Sequence, residues 1–459
     1  MIWRTLFSFE GTISRRAYFW TAVGGLLIKQ LLDLGLASLA FHRDWTPLNY
    51  LVPLGVPVSL RAMTGDDIVF VGTMLLASLP FAWIGLAITA KRFRTIGWPT
   101  WTVGLFFVPI GNIVSFLAAA IWPEGDAAPT PVEPGFLSRV VPRDRLGAAL
   151  AAALCSAVLS LAFVYVGTAW LNTYGWGLFA AIPFGQGALA VALAGARDRR
   201  SLGGSIAIAV LSAALALVGL LAVALEGVLC IAMAAPVVVA LAIAGGMFAY
   251  VVQGPKSRRL DVATLILIVG VAPGIMGAEA VVPRDAPTYM VRSEIVVDAP
   301  PMTVWRRVVA FPDLPPPEQL PFRIGIAYPE RAHIVGSGVG AIRYCSFSTG
   351  DFVEPITAWE PGRRLAFRVA RSAQPMREWS PYAGLDTPHL HGYLVSKHGE
   401  FDLEPLPGGK TRLIGITWYQ HHLWPAGYWA FYSDGIIHAI HMQVLEHVKR
   451  LAEADRGNS

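Results

Sequence analysis

Nine of the ten histidines fall after residue 281, and four of them are spaced so that they could act together. An imidazole serves as proton carrier, hydrogen-bond anchor or metal ligand. His438 and His441 stand three residues apart on one side of a helical stretch, and His421-His422 precede it. Three converging imidazoles would satisfy zinc. Helical zinc pairs, however, use a four-residue spacing with an acid between, as in H-E-x-x-H, and this pattern has neither. The spacing therefore predicts hydrogen-bonded anchors and no metal site. His389-Leu390-His391 lies in a long insertion, 372–397, which reads as a lid or an exposed loop. In the N-terminal part Lys29 and Asp33 interrupt an apolar run four residues apart, placed to pair on one helix face. A transport path would need partner charges in other apolar runs; Asn112 and Gln186 are merely polar, and Glu226 lies in a turn. No nucleophile elbow, phosphate-binding loop or dinucleotide fingerprint occurs, so no cofactor is expected.

The elements that must position these residues come from two kinds of polypeptide. Apolar residues make up 54% of the 459 and charged residues 15%, against about 25% charged in ordinary globular domains. Mean hydropathy is +0.52. Residues 281–459 carry 18 basic and 18 acidic side chains, so the net charge of +5 belongs entirely to residues 1–280. That half contains apolar stretches near 18–40, 68–90, 97–122, 147–168, 174–195, 204–225, 227–252 and 261–280. Each is about the length that crosses a bilayer. Three cysteines cannot staple a chain of this size, and the composition excludes disorder.

Fifteen of the 18 basic residues in this half sit in five clusters: Arg4/Arg15/Arg16, Lys91/Arg92/Arg94, Arg139/Arg143/Arg145, Arg197/Arg199/Arg200 and Lys256/Arg258/Arg259. Only Arg43 and Arg61 fall in the connection 41–67, and the connections near 170 and 226 carry none. The positive-inside rule puts all five clusters in the cytoplasm. This requires the run 97–122 to return to its own side, as a re-entrant hairpin or a span broken at Val108-Pro109-Ile110-Gly111-Asn112. The alternative is one ordinary crossing with 123–145 outside. Under the first reading the last span runs outward and the soluble part is extracytoplasmic. The spacing Gly270-x-x-x-Gly274 in that span permits close helix contact.

The stretch Phe9-Glu10-Gly11-Thr12-Ile13-Ser14-Arg15-Arg16-Ala17-Tyr18-Phe19-Trp20 resembles the opening F-x-G-R-I-S-R-x-x-F-W of the domain of unknown function 805 family. Lys91-Arg92-Phe93-Arg94-Thr95-Ile96-Gly97-Trp98, then Trp101 and Pro109-Ile110-Gly111, resembles its second block. Thr12 and Thr95 stand where the family has Arg and Asp. The resemblance implies a bacterial inner-membrane module. Each block reads as a basic, aromatic collar suited to anionic head groups.

After residue 281 the period changes. A strand over 290–297 and a short helix over 302–310 are predicted, then strands near 331–336, 340–348, 351–359, 363–371, 398–405 and 410–421, and a terminal helix over 429–453. This order resembles the SRPBCC superfamily, with its START-like helix-grip fold. The resemblance rests on Ile295-Val296-Val297-Asp298-Ala299-Pro300-Pro301-Met302-Thr303-Val304-Trp305, on Gly338-Val339-Gly340-Ala341-Ile342-Arg343, and on the run from Glu354 to Leu365. It implies a sheet gripping the long helix around a mostly apolar cavity. Expected lining residues are Tyr344, Trp359, Trp418, Tyr432, His438, His441 and Met442. Cyclase-type relatives use one or two acid–base groups facing the ligand. The candidates here are Arg343 as oxyanion or carboxylate partner, Glu354 as base and Tyr419 as acid.

The whole reads as a polytopic α-helical membrane protein of seven to eight apolar segments, followed by a soluble α+β helix-grip domain. The expected parts are a membrane module over 1–125, further transmembrane helices over 126–280 and the START-like domain over 286–456. The expected location is a bacterial inner membrane, with the N-terminus cytoplasmic and the C-terminal domain periplasmic. Expected partners are membrane lipids and a hydrophobic small molecule, and no nucleic acid. The function expected is ligand binding at the bilayer surface. Cyclase or dehydratase-type catalysis and a ligand-free interaction module are the alternatives.

Overall fold

The computed structural model describes residues 6–8, 11–50, 65–98, 103, 109–123, 142, 144–196, 198–253, 262–282, 285–382, 385 and 387–457. The break at Val108, and Phe9, Glu10, Arg4, Arg61, Arg139, Arg143, Arg197, Lys256, Arg258 and Arg259, lie outside the described residues. The chain divides into two compact units. One comprises Met1–Val166, Ala180–Gly219 and Pro236–Gly277; the other comprises Gly167–Phe179, Leu220–Ala235 and Ala278–Ser459.

The first unit is helical. Among the described residues six helical stretches are long and apolar enough to cross a membrane, some of them reaching beyond this unit: Arg15–Ala40, Gly72–Ile96, Arg145–Trp170, Gly177–Ala194, Leu202–Ala222 and Val228–Gln253. Two shorter apolar helical stretches are Asn112–Ile121 and Leu267–Val281. Side-chain oxygens begin two of these helices, Ser14 accepting from the Ala17 amide and Asp144 from that of Gly147. Both satisfy amides that have no partner inside the helix.

The two blocks of the N-terminal resemblance meet in space. Thr95 Oγ1 lies 3.2 Å from the Ile13 amide, and the Tyr18 hydroxyl 3.3 Å from Thr89 Oγ1. Arg92 is fully buried and donates to the Ala119 and Trp122 carbonyls, at the last turn of helix Pro109–Ile121. The expected collar is thus, at Arg92, a side-chain cap on orphaned carbonyls rather than a lipid contact. Lys29 and Asp33 form the expected ion pair, both buried. The Gly270/Gly274 expectation is corrected. Among the described residues a Cβ at either position would meet nothing within 4 Å. Close backbone approach occurs instead at Gly187 and Gly245, where a Cβ would fall 1.9 Å from the Ala242 and Phe184 carbonyl oxygens.

The second unit is built on a seven-stranded antiparallel sheet. Its strands are β1 (Thr288–Val297), β2 (Pro329–Val335), β3 (Ile342–Phe347), β4 (Gly350–Glu360), β5 (Arg364–Arg368), β6 (Leu394–Leu406) and β7 (Lys410–His421), in the order β1-β7-β6-β5-β4-β3-β2. Two helices serve it: α1 (Pro301–Val309) and the long α2 (Ala426–Gly457). Helical spacing puts Val444, Leu445, Val448 and Ala452 of α2 into one core with Val297, Ile356, Leu365 and Leu413 of the sheet and Val304, Trp305 and Val308 of α1. The β4–β5 turn uses Gly362 at φ +73°, where a Cβ would also strike Met302 Sδ at 2.9 Å. This is the helix-grip arrangement that the sequence implied.

The insertion between β5 and β6 is not a free loop. Its Met376 and Leu390 share an apolar cluster with Leu229, Phe322 and Ile326. Burying two such side chains contributes about 3–6 kcal/mol in all. The Val228 amide donates to the Trp379 carbonyl at 2.8 Å, and the Tyr382 hydroxyl to that of Ala222. The Tyr393 hydroxyl reaches Asn172 Oδ1 at 3.0 Å. The segments Gly167–Phe179 and Leu220–Ala235, the ends of apolar helices, therefore belong to the same packed body as the sheet.

Candidate functional site

Alternation along β3 and β4 turns Arg343, Cys345, Glu354 and Ile356 toward α2. Arg343 and Glu354 are register partners and form an ion pair, 3% and 5% exposed. The guanidinium carbon sits 5.8, 5.0 and 5.7 Å from the ring centres of Phe311, Phe367 and Phe401, within cation–π range. Arg343 Nε is buried without a hydrogen-bond partner. Burial works to lower the Arg343 pKa, but Glu354 and Cys345 outweigh it and hold it up. Burial likewise dominates at Glu354 and raises its pKa against the pull of the guanidinium.

A second polar group crosses from β1 and β7 to α2. Ser293 Oγ lies 2.7 Å from His438 Nδ1 and 3.1 Å from His441 Nδ1, and Thr417 Oγ1 lies 2.7 Å from His441 Nε2. Burial, then the neighbouring His438, pushes the His441 pKa down to about 4. His438 and His441 thus share Ser293, and His441 also meets Thr417, partners that helical spacing alone did not reveal. His421 is elsewhere, against Ser433 Oγ at 3.1 Å, and His422 is exposed. The Tyr419 hydroxyl donates to Asp434 Oδ1 at 2.7 Å. Strands β5 and β6 stand between Tyr419 on β7 and Glu354 on β4.

The other lining candidates divide by strand face. Trp359 packs edge-on against Trp305, ring centres 5.5 Å apart, and Met442 joins the same core. A bulge between Ile356 and Ala358 resets the alternation and turns Trp359 inward. Tyr344 instead stacks on His333 at 5.3 Å, and Trp418 on His398 at 4.0 Å. Both lie on the sheet face away from α2, because their neighbours Arg343, Cys345, Thr417 and Tyr419 face it. Tyr432 packs on Tyr428 and Phe431.

A further cluster lies where the insertion meets helix Val228–Gln253. Cys230 Sγ is 2.8 Å from His389 Nε2, and His389 Nδ1 faces Glu226 Oε2 at 3.5 Å. Glu378 accepts from the amides of Leu229 and Cys230, both at 3.2 Å. Burial, with Glu378 adding to it, pushes the Glu226 pKa up to about 8. Burial, then His391, lowers that of His389 to about 4. The reading of Glu226 as a turn residue missed this cluster; a carboxylate in a turn with no basic residue nearby was the available signal.

Two outcomes follow. Replacing Glu354 with Leu alone strands a buried guanidinium and costs about 3–5 kcal/mol, whereas Arg343→Met combined with Glu354→Leu recovers most of it. Denaturant melts of the detergent-solubilised chain measure both. His441 is neutral when folded, so the unfolded state binds more protons between about pH 4 and 6.5. Its contribution is complete above about 6.5 and is lost as pH falls toward 4. In melts across that range, His441→Gln flattens the decline.

No curated protein matches the chain. Solved structures match its C-terminal part. An aromatase/cyclase from Streptomyces sp. R1128 is 15% identical, covering 38% of this chain and 97% of its own, with a TM-score of 0.25. A norcoclaurine synthase point mutant from Thalictrum flavum is 13% identical, covering 38% and 99%, with a TM-score of 0.25. A protein from Chromobacterium violaceum is 18% identical, covering 36% and 96%, with a TM-score of 0.22. At the other end, residues 6–134 match the family described as "Protein of unknown function (DUF805)", as the two N-terminal blocks implied.

Proposed function

We propose that the chain is a membrane-anchored binding protein whose C-terminal grip holds a hydrophobic small molecule or lipid at the bilayer surface. Arg343 carries this reading. A cation buried among three aromatic rings, with Nε unpaired, offers a donor to an amphiphile that has an apolar body and one polar acceptor. Arg343 and Glu354 are engaged with each other and Tyr419 with Asp434, which favours binding over catalysis.

The membrane is that of a bacterial cell, the inner one, with the N-terminus in the cytoplasm and the grip in the periplasm. Charge supports this orientation. The segments that pack with the grip, Gly167–Phe179 and Leu220–Ala235, contain no basic residue. Along the chain, Arg145 begins the helix that ends at Trp170, and Arg199 and Arg200 follow the helix that starts at Gly177. The Glu279 carboxylate, at the end of helix Val262–Val281, accepts from the Trp176 and Gly177 amides. The last helix therefore emerges beside those bare segments, and the ligand enters from the leaflet there.

Native mass spectrometry of the full chain in lipid nanodiscs tests this. A lipid-sized adduct should survive release from the disc and fall at least about tenfold in Arg343→Met/Glu354→Leu, if that variant melts as the parent does. A parent chain that carries no adduct from a lipid extract, or an adduct indifferent to the double change, contradicts the reading.

A further inference from the structure

The geometry points to a binding site for a zinc-class divalent metal ion formed by Glu226, Cys230 and His389, at the junction of helix Val228–Gln253 and the β5–β6 insertion. One donor atom from each residue, a carboxylate oxygen, a thiol sulfur and an imidazole nitrogen, lies within 4.8 Å of the other two. That mixed set suits a borderline ion such as zinc, and three protein donors leave one tetrahedral position for water or substrate.

The second observation is that two of the polar atoms facing this point have no hydrogen-bond partner. His389 Nδ1 and Glu226 Oε2 are buried without hydrogen-bond partners, although they face each other at 3.5 Å, and His389 is 8% exposed. Buried polar atoms are normally paired. Neither Glu226 nor Glu378 has an arginine or lysine partner among the described residues. Two carboxyl groups, a thiol and an imidazole thus stand together with no arginine or lysine paired to them among the described residues. A divalent ion would supply that charge and bind the thiol as thiolate.

The alternative use of the same residues is a thiol–imidazole–carboxylate nucleophile, since Cys230 and Glu226 flank opposite nitrogens of His389. The surroundings oppose it. The Glu378 carboxylate is also hydrogen-bonded with the Cys230 thiol, so the thiol is not held by His389 alone. Glu378 itself is held by the Leu229 and Cys230 amides, so its role is the helix cap rather than a metal ligand. Donors around a tetrahedral zinc stand roughly 3.3–3.8 Å apart. The bound ion would pin the insertion to the end of the apolar helix, joining groups 159 residues apart in sequence.

Cobalt reports on the site directly. The full chain, purified in detergent and stripped with chelator, should take up about one Co2+ per chain with a near-ultraviolet thiolate-to-cobalt band, and Zn2+ should displace it. Cys230→Ser and His389→Gln should lose the band, whereas Glu378→Gln and Cys345→Ser keep it. Because a ligand variant can misfold, the parent chain supplies a second measurement. Zn2+ should slow maleimide labelling of Cys230 at least about tenfold, with Cys155 labelling unchanged. Failure to take up stoichiometric cobalt, a band that survives Cys230→Ser, or Cys230 alkylation that stays fast with Zn2+ present would overturn the proposal. The last outcome would indicate the nucleophile instead.

Discussion

The first amides of an apolar helix have no partners within it, and in lipid or at its edge an unsatisfied amide is costly. For helix Val228–Gln253 the partner is Glu378, on the insertion of the C-terminal domain. Much of the second unit depends on that contact. It requires Gly227, since a Cβ there would lie 2.0 Å from the Glu378 carboxylate. It brings His389 to Cys230 and Met376 and Leu390 to Leu229. A carboxylate at a helix N-terminus is also favoured by the helix dipole. The insertion of the grip completes the end of a helix that reads as a membrane span.

Inside the grip, a different constraint operates. An apolar sheet wrapped round a helix tolerates charge only in balanced form, and Arg343 brings Glu354 with it across one hairpin. The histidine group on α2 follows the same logic with neutral partners, since Ser293 and Thr417 accept or donate as the imidazoles require. Both groups lie on strand faces turned toward α2, which gives an otherwise hydrophobic interior polar points at defined places. A binding site for an amphiphile needs that combination: much apolar surface and few, fixed polar contacts.

Much of this was legible in the residues. Alternation and the Gly-Pro turns placed the strands of the sheet, and helical spacing placed α2. Lys29 and Asp33 paired as four-residue spacing requires. What was not legible depends on register or on distant contact. Arg343 and Glu354 are each ordinary strand residues until the β3–β4 hairpin sets them opposite one another. Trp359 faces inward only because a bulge resets the alternation, and Tyr344 and Trp418 face the other way for want of one. Glu226, Cys230 and His389 carry no shared motif. They meet because the insertion folds back onto the end of a helix, and no local pattern in 372–397 announces that.

The packing of the insertion against the helix ends is the claim on which the rest stands. The Tyr393 hydroxyl lies 3.2 Å from the Asn172 carbonyl oxygen, so a benzoylphenylalanine at position 393 would sit beside the segment Gly167–Phe179. Photolysis in native membranes, followed by mass-spectrometric mapping, reads the contact directly. An intramolecular crosslink to the peptide containing Asn172 is the expected result. Crosslinks confined to residues after 285, or to lipid alone, would contradict it.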